Sequence, residues 1–214
     1  MADVIENALQ IASLLFCMTF SLYRIAKTRD KSWVLLFFFY ASYLMGDLYW
    51  QAFIFFFGST PSVSVVSDLS WFASFMFLYL LLYMENEKHK GKDRDISNSP
   101  LRFIPFIGPV FSAIMTIFYM SVGSVVCNFI YGVIMAALLY ILISTIIRFH
   151  GTPCHRVRWV CHSIAMTSLA EYGAWTSSAI RYDVTMHNPY YWFTILASLC
   201  LPVYLYALSK EVEP

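Results

Sequence analysis

The sequence predicts an all-α polytopic membrane protein, a bundle of seven transmembrane helices. Three observations carry that reading. First, the 214 residues are 59% hydrophobic and only 13% charged, against roughly 25% charged in an ordinary soluble domain; mean hydropathy is +0.63. Second, successive apolar stretches of about 20 residues are each long enough to cross a ~30 Å hydrocarbon layer as a helix. Third, runs such as "WVLLFFFYASYL" and "YGVIMAALLYILISTII" lack the period-two polarity of a membrane barrel strand. Helices are the other way to satisfy every backbone hydrogen bond in lipid.

The whole chain, 1–214, reads as one seven-helix domain. The first span is expected at 4–26. Its leader "MADVIEN" is acidic and lacks the basic stretch of a cleaved signal peptide, so it is expected to be retained. The second span runs 33–57, between a charged turn and Gly58. The third runs 67–84. The fourth, 103–120, contains Pro105 and Pro109, which remove helix hydrogen bonds and are expected to kink it. The fifth, 125–147, is almost wholly apolar. The sixth and seventh, 153–182 and 189–208, each begin with a capping residue and proline at the first helical position, Thr152-Pro153 and Asn188-Pro189. The sixth is long enough to project from the membrane, so Arg156 and Arg158 are expected in water. Pro202 is expected to kink the seventh.

Basic residues fix the predicted orientation. Arg24, Lys27, Arg29 and Lys31 border the first connection; Lys88, Lys90, Lys92, Arg94 and Arg102 border the third. Arg148, Arg156 and Arg158 border the fifth, and Lys210 follows the last span. Of the 14 Lys and Arg, only Arg181 falls on the other side. Because cytoplasmic loops are enriched in Lys and Arg, the N-terminus is expected outside and the C-terminus in the cytoplasm. A multi-pass protein of the plasma membrane is the expectation.

An ionised side chain at mid-bilayer costs about 2.5–3.5 kcal/mol even on the lenient insertion scale, so it should face the bundle interior or water. Asp47, in "YLMGDLYWQAF", and Glu171 are the two clear cases. Asp47 lies 11 residues before Gly58 and Glu171 11 before Tyr182, both at the outer surface, so each is about 16 Å deep at 1.5 Å per residue and the two can meet at one level. Tyr40, Tyr43, Asp47 and Gln51 recur at helical spacing, as do Ser168, Glu171, Trp175, Ser178 and Tyr182. Glu6, Gln10 and Ser13 add polar groups at matching depth, and Asn128 sits near the outer end of the fifth span. Asp68 begins the third span, with Trp71, Phe72, Phe75 and Tyr79 following. This bias toward the outer half, beside Tyr and Trp, points to an aromatic-walled cavity that opens outward. The candidate ligand-binding set is Asp47, Glu171, Tyr43, Trp50, Asp68, Trp71 and Trp175.

Plainer roles compete. Asp68, Arg181 and Asp183 lie where charge is cheap, and Asp68 suits a helix N-terminus. The aromatics also fit an interfacial belt, and protonated Asp47 and Glu171 can simply bridge helices. The neighbour order of the helices is open.

Other signals are weaker. Cys17, Cys127, Cys154, Cys161 and Cys200 lie in spans or on the cytoplasmic side, so no disulfide framework is expected. "HGTPCHRVRWVCH" pairs Cys with His twice, seven residues apart, but adjacent Cys-His dipeptides diverge on a helix and zinc sites favour closer pairs such as Cys-x2-Cys. No metal and no cofactor is expected. Hydrolase and phosphate-loop motifs are absent. "GSTPSVSVVSD" reads as an outer turn, or a lid, and "NEKHKGKDRDISNSP" as a solvated cytoplasmic loop, or one that meets anionic lipid. The basic residues form a membrane-surface band, not a nucleic-acid footprint.

Seven spans with an external N-terminus resemble microbial rhodopsins and seven-helix receptors. A retinal protein needs a lysine inside the last span, and "YYWFTILASLCLPVYLYAL" has none. The stretches "GDLYWQAF", "SDLSWFASFMFLYLLL" and "EYGAWTSSAIRYDVTMHNPYYWF" resemble a group of small seven-helix membrane proteins of Gram-positive anaerobes. That resemblance covers most of the chain and carries no function with it. The Gly-Asp of the second span is similar to that of lysoplasmalogenases, membrane hydrolases with intramembrane aspartates that usually have eight spans. The first functional expectation is a membrane sensor or binding protein for a small amphipathic or cationic ligand. Asp47 and Glu171 would meet its polar end while Trp50, Trp71 and Trp175 pack the rest. An intramembrane lipid hydrolase would use Asp47 and Glu171 as acid and base, and a proton- or cation-coupled transporter would use them for coupling, though no internal repeat is evident. Expected partners are membrane lipid, the small-molecule ligand and a signalling protein; no nucleic acid is expected.

Overall fold

Hydrophobic runs punctuated by capping residues become seven α-helices in the computed structural model, which describes residues 2–58, 65–96, 99–122, 124–180 and 187–210. They are α1 (Ala2–Thr28), α2 (Lys31–Phe57), α3 (Val65–Lys88), α4 (Ile107–Tyr119), α5 (Val125–Arg148), α6 (His155–Ile180) and α7 (Pro189–Ser209). A 3-10 helix, Pro100–Phe106, leads into α4. Five stretches are long and apolar enough to cross a membrane: Glu6–Thr28, Val66–Lys88, Pro100–Tyr119, Val125–Arg148 and Pro189–Ser209. The chain is thus an all-α helical bundle with the character of a membrane protein. α2 and α6 fall outside that set of five because Tyr, Trp and polar side chains, the acids Asp47 and Glu171 among them, interrupt their apolar runs.

α2 packs along α3 and α6 along α7, while α1 lies between α2 and α7. α3 leans on α5, α6 touches both α3 and α5, and α4 packs against α5. The circuit α1-α2-α3-α5-α6-α7 therefore closes on itself, with α4 outside it. Every Lys and Arg except Arg181, which lies outside the described residues, is at or near the end where α1, α3, α5 and α7 finish. This is called the basic end below.

Local chemistry sets the boundaries. Asp30 caps α2 by accepting the Ser32 backbone N–H at 3.0 Å, after Arg29 (φ 54°) turns the chain out of α1. Asn188 caps α7 as expected, accepting the Tyr190 N–H at 3.0 Å. Thr152 does not cap α6. Its hydroxyl donates to the Phe149 carbonyl at 2.9 Å, Gly151 takes a left-handed φ of 78°, and the helix starts only at His155. Pro105 lies inside the 3-10 segment. Its missing N–H explains why the fourth element winds as 3-10 before it becomes α-helical.

A dry layer crosses the middle of the bundle. Leu36, Phe39, Leu78, Leu81, Val160, Ile164 and Tyr204 are all fully buried there. Polar clusters lie on either side of it.

Candidate functional site

On the side away from the basic end, α2 presents Gly46 and Asp47 to α3. The Trp71 indole lies flat enough on α2 that a Cβ at position 46 would fall 2.6 Å from its Nε1. Glycine is what lets the ring approach, and from there its N–H donates to Asp47 Oδ1 at 3.0 Å. Trp50, one turn further along α2, faces Trp71 with ring centroids 6.0 Å apart. Asp47 is only 7% exposed, and its second oxygen, Oδ2, is buried with no hydrogen-bond partner among the described residues.

Glu171 sits across the bundle on α6, also 7% exposed. The Tyr43 hydroxyl, one turn from Asp47 on the same face of α2, donates to Glu171 Oε1. α2 and α6 therefore meet through this pair, and Glu171 lies at the level of the Tyr43–Asp47 turn. Glu171 and Glu6 are both within electrostatic range of Asp47, and Tyr190 of α7 senses all three acids. Glu6 is itself 3% exposed. An aromatic wall completes the region. Tyr131 of α5 stacks on Trp175 at 4.7 Å and 5°, with Phe72 and Phe75 against its other flanks at 6.1 and 5.7 Å. The Tyr131 hydroxyl, Ser168 Oγ and Gln51 Nε2 are also buried without hydrogen-bond partners among the described residues. Buried polar groups are normally paired, so these three atoms and Asp47 Oδ2 stand out as unpaired among the described residues.

Of the expected ligand-binding set, Tyr43, Asp47, Trp50, Trp71, Glu171 and Trp175 fall in this one region. Asp68 is buried in the first turn of α3, where a carboxylate suits the helix N-terminus. Three of the polar side chains singled out in the sequence do other work. Asn128 donates to the Tyr119 and Val122 carbonyls at 2.7 Å, tying off the α4–α5 turn. Ser178 is exposed and bonds the Trp175 carbonyl of its own helix. Tyr40 donates to the Leu201 carbonyl of α7 at 2.7 Å. Tyr182, Arg181, Asp183 and most of the serine-rich outer segment lie outside the described residues. Tyr131 went unnoticed in the sequence because a lone tyrosine in an apolar span carries no distinguishing pattern, and Tyr190 because it sits in an aromatic run at a helix start.

A second polar cluster lies at the basic end and joins the same three helices. Arg156 is 4% exposed rather than solvated, which overturns the expectation of water around the first turns of α6. Its Nε and Nη2 donate to the two oxygens of Glu85, both at 2.9 Å, and Nη2 also reaches Asp30 at 2.6 Å. Lys88 bonds Asp30 at 2.5 Å and Glu85 at 3.1 Å, while the Ser32 hydroxyl donates to Glu85. Glu85 is wholly buried. Two acids and two bases close the charge balance. Burial alone would raise the Asp30 carboxyl, but the Lys88, Ser32 N–H and Arg156 contacts outweigh it and bring it from 3.8 down to about 2. Glu85 was hidden in the sequence by its place at a helix end among charged neighbours.

No group of three or more His, Cys, Asp and Glu side chains suited to a metal ion forms among the described residues. Comparison with protein-family models, with curated proteins and with solved structures finds no match.

Proposed function

We propose that this chain is a seven-span plasma-membrane protein, N-terminus outside, that binds a small amphipathic cation in the acidic-aromatic region between α2, α3 and α6. Asp47 and Glu171 would receive its positive end, while Trp50, Trp71 and Trp175 hold its apolar body; a cation over an indole face gains about 0.5–2 kcal/mol. One observation supports this most. Asp47 is buried beside two further carboxyl groups, with one of its oxygens unpartnered among the described residues. The three acids are spread across α1, α2 and α6 rather than gathered around a point, which suits an organic cation. Orientation follows from the basic end facing the cytoplasm.

The ionic cluster supports a sensor over a passive binder. It ties α2, α3 and α6, the helices that would grip the ligand, at the end that would face a signalling partner. A shift of α6 against α2 at Glu171 would load the Arg156 contacts across the dry layer.

The test uses purified protein in nanodiscs with quaternary ammonium probes of increasing chain length and their neutral isosteres. Ligands that bind the folded state raise the melting temperature with concentration. The cations are expected to stabilise the wild type, with the effect lost in Asp47→Asn and Glu171→Gln. Equal stabilisation of both variants would end the proposal. Lysophospholipid turnover abolished by Asp47→Asn would put the hydrolase reading first, and Asp47-dependent cation uptake into proteoliposomes the transporter reading.

A further inference from the structure

A pocket lies on the outside of the bundle at the basic end. In "HRVRWVCH", residues 155, 158, 159 and 162 are three and four apart and share one face of α6. His155, Arg158, Trp159 and His162 line a pocket of about 190 Å³. We propose that it holds the headgroup phosphate of an anionic phospholipid in the basic-end leaflet.

The donor chemistry fits an anion. Arg158 has only donors, so in its 2.6 Å contact with His155 Nδ1 the histidine accepts and keeps its own proton on Nε2. His162 Nδ1 donates to the Arg158 carbonyl at 2.6 Å, which orients that ring. No carboxylate pairs with Arg158 among the described residues. This distinguishes it from Arg156 and Arg148, which are both ion-paired. The positive character continues onto α7. The Tyr206 ring meets Trp159 edge-on at 5.2 Å, and the Lys210 ammonium lies 4.3 Å from the Tyr206 centroid. Among the described residues α6 and α7 carry a single acid, Glu171, which is far from this end.

The surroundings favour a lipid over a free anion. Trp159 and Tyr206 are 41% and 48% exposed, amphipathic rings at the level where a headgroup meets acyl chains. Beyond them, toward the middle of the bundle, Met166 and Leu169 on α6 and Leu199 on α7 are exposed and apolar. A headgroup in the pocket thus places its acyl chain along a hydrophobic face. Two cations with no ion-pair partner among the described residues favour an anionic headgroup over a zwitterionic one.

The experiment uses the full chain in detergent, with phosphatidylglycerol and phosphatidylcholine as probes in native mass spectrometry. Phosphatidylglycerol is expected to be retained at one copy and at least about tenfold more tightly, and Arg158→Gln should remove that preference, the scale of one charge-assisted contact. Phosphatidylglycerol brominated on its acyl chain should quench part of the tryptophan emission, a part missing in Trp159→Phe. If Arg158→Gln does not fold, the quenching comparison decides alone. Equal retention of both lipids, quenching unchanged in Trp159→Phe, or full displacement by millimolar inorganic phosphate would each overturn the assignment.

Discussion

The Tyr43 hydroxyl donates to Glu171 across the bundle, and this contact is the bridge between α2 and α6 at the level of Asp47. It gives a buried acid one oriented donor while leaving the adjacent Asp47 Oδ2 unpaired. Asp47 accepts from the Trp71 indole, while Glu171 accepts from Tyr43 and also interacts with the Trp175 side chain.

Tyr43→Phe tests the bridge directly. The ring stays, the donor goes, and Glu171 keeps a buried oxygen without its partner. Leaving such a group unsatisfied costs about 1–3 kcal/mol. We expect a lower melting temperature in detergent, and the Tyr43→Phe, Glu171→Gln double variant should lose less than the two single losses combined. Strict additivity would show that the contact carries no coupling.

Gly46→Ala sets two effects against each other. Alanine in a helix interior is favoured over glycine by about 1 kcal/mol. At this position, however, the new Cβ would fall 2.6 Å from Trp71 Nε1. Displacing the indole adds overpacking strain of about 1–3 kcal/mol and lengthens its bond to Asp47. Net destabilisation with a shifted tryptophan emission spectrum is expected. A stabilised variant with an unchanged spectrum would mean that the ring relaxes freely.

The bundle and its membrane character were legible because apolar length and composition alone determine them. That Asp47 and Glu171 share one region was suggested by their matching distances along their helices, and the Tyr43–Glu171 contact brings their helices together at that level. The Tyr131–Trp175 stack was not legible, because it depends on α5 lying against α6, and helix order leaves no trace in periodicity. Arg156 was misread for a related reason. A basic residue near a helix start looks solvated until its acids arrive from elsewhere, and Asp30 and Glu85 are 126 and 71 residues away in sequence.

Arg156→Ala should be among the most damaging single substitutions. It leaves Glu85 fully buried with Lys88 as its remaining cation. Removing one partner of a buried pair costs about 3–5 kcal/mol, whereas replacing the whole set with apolar groups of similar volume is often neutral. Arg156→Met combined with Glu85→Leu is therefore expected to recover much of the loss, measured by unfolding in a denaturing detergent. If the double variant is no better than Arg156→Ala, the ionic contacts themselves are required for folding.

Asp30 ties this cluster to acid stability. Its carboxyl is lowered in the folded state, from 3.8 to about 2, by the Lys88, Ser32 and Arg156 contacts that outweigh burial. A group depressed on folding contributes stability that is complete above its unfolded value and is lost as pH falls through its folded one. The contribution from Asp30 should thus be present at pH 5 and fade between about pH 4 and 2. Asp30→Asn keeps a side-chain oxygen to accept the Ser32 N–H, so α2 remains capped, but it removes the charge facing Lys88 and Arg156. This variant should be less stable than wild type at pH 6 and converge with it near pH 2, whereas Asp30→Ala should stay below both. Melting curves across that range decide the matter, and a constant gap between Asp30→Asn and wild type would show that the carboxylate charge contributes nothing.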